Sequence, residues 1–70
     1  MKIQVGIITV SDRAAAGEYE NLGGPLLCKA ADGYGWAVLA ETVVRDEVEQ
    51  IQRAIREQIA KGCHLVLTTG

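Results

Sequence analysis

The chain of 70 residues lacks the features that mark several classes of protein. No apolar run approaches the ~20 residues of a membrane-spanning helix, and the residues after Met1 lead into a strand-like run without a signal-peptide pattern. The formal net charge is −2, whereas proteins that bind duplex nucleic acid depend on Lys and Arg contacts to phosphate. The sequence therefore argues against a membrane or nucleic-acid partner, and we expect a cytoplasmic protein with a true amino terminus.

Motifs for common cofactors are also missing. Cys28 and Cys63 fit neither a CxxC pair nor the spacing of zinc ligands, so we expect reduced thiols that pack as small apolar residues. Neither G-x-G-x-x-G nor G-x-x-x-x-G-K-[ST] is present, which argues against nucleotide binding by those two devices. The single histidine, His64, lies early in a predicted strand and is expected to be a packed or partly exposed residue there.

What the sequence contains is an alternation of strand-like and helix-like segments. Short apolar runs at 3–10, 36–44 and 63–69 predict three strands, of which the first is central and the second an edge strand. Tyr34 and Trp36 are predicted to anchor the packing at the start of the second strand. Right-handed crossovers make the strands parallel. The pattern is typical of a β-α-β-α-β portion of a layered α/β domain.

Two helices are predicted between these strands. Pro25 is typical of the first position of a helix and Gly33 of the position just past the end of one. The second helix opens at Asp46, which with Glu49 resembles a capping box, and Gly62 ends it. Four residues at spacings of three and four predict its apolar face: Val48, Ile51, Ile55 and Ile59.

Polar clusters follow all three predicted strands: Ser11-Asp12-Arg13, Arg45-Asp46-Glu47 and Thr68-Thr69-Gly70. The carboxyl ends of parallel strands share one edge, which is where open α/β sheets bind ligands. The long glycine-bearing segment after the first strand can point backbone N–H groups at a phosphate, with Arg13 adding positive charge. The three clusters therefore predict one site for a small anionic ligand.

Each cluster also has a purely structural interpretation. Ser11 or Asp12 can cap a turn, with a helical turn at 14–16, and Thr68-Thr69-Gly70 can simply end a strand. Asp46 is either a helix N-cap, worth ~1 kcal/mol relative to Ala, or a carboxylate that holds Mg²⁺ directly or through water. The residue pattern alone favours the cap.

Motifs distributed over the whole chain match the pattern of one known family. They are the following segments: Val10-Ser11-Asp12-Arg13-Ala14, Gly17, Tyr19, Gly24-Pro25, Gly35-Trp36, Val44-Arg45-Asp46-Glu47 and the run from Cys63 to Gly70. Together these segments resemble the amino-terminal half of the molybdopterin-binding (MogA/MoaB) family. Arg45 stands where that family often has proline, and Asn21 where it often has an acidic residue.

The resemblance implies a fold and a reaction. The fold is a three-layer α/β/α, Rossmann-like parallel sheet in a domain of about twice this length, so residues 1–70 are expected to be part of a domain truncated at its carboxyl end. The implied reaction transfers AMP from ATP to the terminal phosphate of molybdopterin, releases pyrophosphate and uses Mg²⁺. A non-catalytic molybdopterin-binding module of the same fold is the alternative.

The resemblance also implies residue roles and partners. Asp46 takes the place of a catalytic, metal-linked aspartate, and a second aspartate is expected after a G-G-T-G loop that lies beyond these residues. A homotrimer or hexamer is implied, together with a molybdenum-insertion protein that receives the product. The residues implied to bind substrate are Ser11, Asp12, Arg13, Gly17, Thr69 and Gly70.

Overall fold

A computed structural model describes residues 2–18, 20 and 22–70. The expectations for Tyr19 and Asn21 lie outside these residues. All three predicted strands and both predicted helices are present, with ends that differ by a few residues. The elements are β1 (Gln4–Val10), α1 (Asp12–Ala15), α2 (Gly23–Gly33), β2 (Ala37–Val44), α3 (Val48–Ala60) and β3 (Leu65–Thr69).

The strands form one parallel sheet in the order β2-β1-β3. Both neighbours shield β1, and the side chains of Val5, Ile7 and Ile8 have no exposed surface. A strand covered on both faces needs a nearly continuous apolar run, which is the pattern of this segment. The predictions of a central first strand and an edge position for the second are confirmed.

Helices α2 and α3 pack on opposite faces of this sheet. Each contacts all three strands, and among the described residues the two helices do not contact each other. The strand order explains this, because consecutive right-handed crossovers that run in opposite directions across β1 place their helices on opposite faces. The three-layer α/β/α architecture that the family resemblance implies is confirmed. On the α3 face, the core is built from Ile8, Val44 and Ala54.

The pairing of β2 with β1 contains one irregularity. The register shifts between Val5 and Gly6, so that Leu39 is the extra residue of a β-bulge on the edge strand. Beyond the bulge the pairing is regular up to Val10 and Val44. The two strands therefore end level with each other at the carboxyl edge of the sheet.

The predicted apolar face of α3 is partly wrong. Val48 and Ile59 are 69% and 59% exposed, whereas the most buried positions of the helix are Ala54 and Gln58. Ile55 contributes a partly buried side chain, as predicted. Helical spacing identified the apolar residues, but α3 is rotated about its axis relative to the predicted orientation. The polar residue Gln58 therefore lies closest to the sheet.

Gln58 lies innermost because the sheet has a space for it at Gly6. The Gln58 side chain is 1% exposed, and its Nε2 donates hydrogen bonds to the backbone oxygen of Ile7 (3.0 Å) and to Thr42 Oγ1 (3.4 Å). A Cβ atom at position 6 would overlap Gln58 Oε1 and lie 2.7 Å from Cδ. The missing side chain of Gly6 thus accommodates the amide that joins α3 to the two strands.

The boundaries of α2 differ from those predicted. The helix begins at Gly23, after the N-cap residue Leu22. Pro25 therefore occupies the third helical position. Its missing N–H is tolerated there because the N–H groups of the first turn have no acceptor within the helix. Gly33 is the last helical residue, and Gly35 adopts the left-handed conformation (φ +77°) that turns the chain toward β2.

The aromatic residues after α2 form a surface pair. The rings of Tyr34 and Trp36 stack with centroids 5.1 Å apart and planes inclined by 24°. Tyr34 is 75% exposed, so the prediction that it anchors internal packing is wrong. Trp36 is half-buried.

The two cysteines are free thiols, as predicted. Cys63 is buried, and the half-buried Cys28 donates from Sγ to Glu41 Oε2 at 3.4 Å. Burial, followed by the Glu41 carboxylate, raises the pKa of Cys28 above its ordinary value of 9.0. The Cys28 thiol therefore stays protonated at neutral pH and is a poor nucleophile.

His64 precedes β3 rather than lying within it, and it is exposed. Its backbone N–H donates to the Gln4 oxygen (2.7 Å), and its Nδ1 accepts from the Gln4 N–H (3.1 Å). These bonds extend the β1–β3 ladder at the amino edge, opposite the carboxyl edge of the sheet.

None of the helices in the described part of the chain has the length and apolar character that a membrane crossing needs.

Candidate functional site

The ends of the three strands meet at one edge, as the parallel arrangement predicts. The Ser11 N–H donates to the Val44 oxygen at 2.9 Å, which joins the chain leaving β1 to the end of β2. Thr69 is paired with Thr9, which brings the end of β3 to the other side of β1. The three polar clusters therefore lie on the same rim.

Ser11 begins α1 as its N-cap. Its backbone is extended, and its Oγ accepts a hydrogen bond from the Ala14 N–H at 3.2 Å. This is the capping role expected from the structural interpretation of Ser11. The predicted helical turn in this segment exists, but it spans Asp12–Ala15 rather than 14–16.

Asp46 is not the N-cap of α3, so that interpretation is wrong. The helix begins at Val48, its N-cap is Glu47, and no side-chain hydrogen bond caps it. The backbone N–H of Asp46 donates instead to Asp12 Oδ1, at 3.0 Å. Asp46 is exposed, so its carboxylate is accessible to a ligand at the carboxyl edge of the sheet, as the alternative interpretation requires.

A cleft of about 150 Å³ opens beside the end of β1. Ser11, Thr69 and Gly70, three of the residues that the resemblance implies to bind substrate, line it. Asp12 and Asp46 lie next to it on the rim without lining it. The full lining consists of Thr9, Ser11, Ala14, Glu20, Leu22, Gly23, Thr69 and Gly70.

Two residues predicted to bind substrate, Arg13 and Gly17, lie outside the cleft. Arg13 is exposed on α1, and Gly17 turns the chain after α1 with φ +75°. Sequence reasoning missed Thr9 and Gly23. Thr9 is the polar residue in the buried run of β1, one position before the strand ends, and that exception to the apolar pattern was the available signal.

Gly23 brings the amino terminus of α2 close to the end of β3. A Cβ atom at position 23 would lie 2.7 Å from Thr69 Oγ1 and 3.0 Å from Thr69 Cγ2. The N-cap residue Leu22 provides no side-chain hydrogen bond. Because the amino terminus of a helix carries partial positive charge and backbone donors, this wall of the cleft offers donors to an anion, while Glu20 places a carboxylate elsewhere in the lining.

Carboxylates for a cation lie on the same rim. Among the described residues, no group of three or more His, Cys, Asp and Glu side chains is arranged to hold a metal ion. Mg²⁺ does not need one, because it usually binds through one or two carboxylates and completes its shell with water and substrate phosphates. Asp46, exposed and hydrogen-bonded to Asp12 through its backbone, fits that donor chemistry.

Comparison with known proteins identifies relatives across nearly the whole chain. The family described as probable molybdopterin binding domain matches residues 6–70. A molybdenum cofactor biosynthesis bifunctional protein of Synechococcus elongatus is 42% identical over 64 residues, which are 91% of this chain and 20% of that protein. A molybdopterin adenylyltransferase of Pyrococcus furiosus is 40% identical over 65 residues, 93% of this chain and 38% of that enzyme.

A solved structure shares the fold of this chain. The crystal structure of a tungsten cofactor synthesizing protein, MoaB, from Pyrococcus furiosus superimposes with a TM-score of 0.94 at 33% identity. The superposition covers 99% of this chain and 42% of that structure. The chain thus spans less than half the length of each of these relatives.

Proposed function

This chain belongs to the family of probable molybdopterin binding domains, and from that membership we propose that the protein is a molybdopterin adenylyltransferase. Its place is in molybdenum cofactor biosynthesis. The proposed reaction transfers AMP from ATP to the terminal phosphate of molybdopterin and releases pyrophosphate. The 70 residues form the amino-terminal part of the catalytic domain, and the remainder of the site follows Gly70.

The observation that carries the proposal is the position of Asp46. Its exposed carboxylate lies on the same rim as Ser11 and as the Thr69-Gly70 end of β3. The attacking phosphate and the triphosphate are both anionic, so catalysis requires alignment and neutralisation of charge rather than a side-chain nucleophile. Mg²⁺, held by Asp46, would supply that neutralisation.

The cleft complements this role. At about 150 Å³ it is smaller than the ~300–1,000 Å³ of pockets that enclose whole small molecules. We assign it to a phosphate group of the substrate, bound between the amino terminus of α2 at Gly23 and the Thr69-Gly70 backbone. The pterin and the nucleotide then extend over residues that follow this chain.

The available side chains agree with a mechanism that has no covalent enzyme intermediate. The Cys28 thiol is protonated and hydrogen-bonded to Glu41, and Ser11 Oγ accepts a hydrogen bond from the Ala14 N–H.

By resemblance to the family, the protein is also proposed to be a cytoplasmic homotrimer or hexamer that passes its product to a molybdenum-insertion protein.

Product analysis tests the function directly. Full-length protein is incubated with molybdopterin, ATP and Mg²⁺, and adenylylated molybdopterin and pyrophosphate are measured by mass spectrometry and a coupled assay. We expect both products in equal amounts and neither after chelation of the metal. Molybdopterin binding without pyrophosphate release would instead identify a non-catalytic binding module, and an aspartate-free segment after residue 70 would agree with that result.

The assignment of the cleft predicts the effect of Gly23→Ala. The added methyl group would contact Thr69 at less than 3 Å, so either Thr69 or the start of α2 must move and the anion site narrows. We expect binding of molybdopterin to weaken about tenfold, a loss of roughly 1.4 kcal/mol, and the crowding of Thr69 to lower the melting temperature modestly. Isothermal titration calorimetry measures the first quantity and a melting curve the second.

Gly33→Ala is the matched control for this variant. It places the same methyl group on the same helix, where nothing lies within 4 Å of the new atom. Its affinity is expected to equal that of the wild type. Equal affinities in all three proteins would show that the ligand does not use this cleft.

A further inference from the structure

Two side chains from other elements hold the turn that carries Asp46. The Asp46 N–H donates to Asp12 Oδ1 at 3.0 Å, across a separation of 34 residues in the chain. The preceding N–H, that of Arg45, donates to Gln50 Oε1 at 3.1 Å. Asp12 is the first residue of α1 and Gln50 lies in the first turn of α3. The turn is therefore attached to the end of β1 on one side and to α3 on the other.

Regular secondary structure gives this turn little support. β2 ends at Val44 and α3 begins at Val48, so the backbone between them takes part in neither the hydrogen bonds of the sheet nor those of the helix. Within the turn, the Glu47 N–H donates to the Arg45 oxygen at 2.8 Å. The side chains of Gln50 and Asp12 supply acceptors for the N–H groups of the two residues before Glu47, which are Arg45 and Asp46.

We propose that Asp12 and Gln50 are positioning residues for Asp46, an inference that rests on the proposed function. Each acts as a hydrogen-bond acceptor that fixes the turn, and neither contacts the substrates. For Asp12 this replaces the substrate-binding role suggested by the sequence. For Gln50 it gives a role to a residue that no motif indicated.

Arg45 directly precedes Asp46, and its backbone N–H donates to Gln50 Oε1. This hydrogen bond restrains the residue before Asp46 from the side of α3, as Asp12 restrains Asp46 itself from the side of α1.

Paired substitutions separate positioning from contact with substrate. Asp12→Ala removes the acceptor, and a misplaced catalytic carboxylate is expected to lower kcat about 100-fold. Asp12→Asn keeps an acceptor oxygen but loses the charge, so kcat should stay within about threefold of the wild type and KM for Mg-ATP should be unchanged. Gln50→Ala and Gln50→Glu form the corresponding pair. If Asp12→Asn is as inactive as Asp12→Ala, or raises KM as strongly, the carboxylate acts by its charge and the proposal fails.

Asp32→Ala is the matched control, because it removes an exposed carboxylate near the end of α2, away from the turn. Its kcat and KM should equal those of the wild type.

Amide hydrogen exchange gives a readout that does not depend on activity. Measured by NMR on the full-length protein, exchange at the Asp46 N–H should accelerate in Asp12→Ala but not in Asp12→Asn, and exchange at Arg45 should respond to Gln50→Ala alone. Unchanged exchange at Asp46 in Asp12→Ala overturns the proposal. If the wild type forms no adenylylated product, the proposed function fails, while these exchange rates still decide whether the two side chains hold the turn.

Discussion

Asp46→Ala is expected to lower the kcat of adenylyl transfer by about a thousandfold, which corresponds to roughly 4 kcal/mol of lost charge stabilisation. The structure supports a clean experiment because Asp46 is exposed and does not cap α3, the N-cap being Glu47. The turn keeps its hydrogen bond to Asp12, since the donor is the backbone N–H of residue 46. Binding of molybdopterin without metal should be retained, and single-turnover kinetics with Mg-ATP measures the defect.

Two further variants define the cause of this loss. Asp46→Asn preserves the shape of the side chain and removes its charge, so it should be nearly as inactive as Asp46→Ala. Glu49→Ala removes an exposed carboxylate from the first turn of α3 and should behave as the wild type. If Asp46→Ala turns over at the wild-type rate while its fold is intact, Asp46 is not the metal-linked carboxylate.

Among the variants proposed for this protein, Gly6→Ala is expected to lower the free energy of unfolding the most, by about 3 kcal/mol. The new methyl group overlaps the end of the Gln58 side chain and lies 3.1 Å from Cys63 Sγ. Gln58 cannot swing away without losing its hydrogen bond to the Ile7 oxygen, because it is buried between α3 and the sheet. Urea denaturation of the full-length protein measures the change in the free energy of unfolding.

A double-mutant cycle tests whether Gln58 causes the clash. Gln58→Ala alone should destabilise the protein, because it removes a buried side chain and its hydrogen bonds. In the double variant the two methyl groups fit together, so the combined loss should be smaller than the sum of the single losses by about 1–2 kcal/mol. Strict additivity would show that the cost of Gly6→Ala arises elsewhere, for instance at Cys63.

The sequence was sufficient to predict the sheet and the rim. Apolar runs of strand length identified β1, β2 and β3, and the handedness of the crossovers made them parallel. From there, the meeting of Ser11, Asp46 and Thr69 at one edge followed without any knowledge of side-chain contacts. These predictions succeeded because they depend on backbone geometry that nearly every such sheet shares.

The errors arose where contacts between distant residues decide the structure. Asp46 with Glu49 has the spacing of a capping box, but the Asp46 N–H is bound by Asp12, 34 residues earlier. Gln58 interrupts the isoleucine spacing of α3 and would be placed in solvent on polarity alone. It is buried because Gly6, on another element, leaves space for it. Neither partner is visible in a local window of sequence.

The bulge at Leu39 has a consequence for how this site tolerates change in chain length. Because the ladder is in register on both sides of Leu39, the amino and carboxyl halves of β2 are fastened to β1 independently. Removing the surplus residue would straighten the strand while leaving Val44 opposite Val10. Insertions and deletions in this edge strand can therefore be absorbed in its middle, and the aspartate beyond its tip keeps its place.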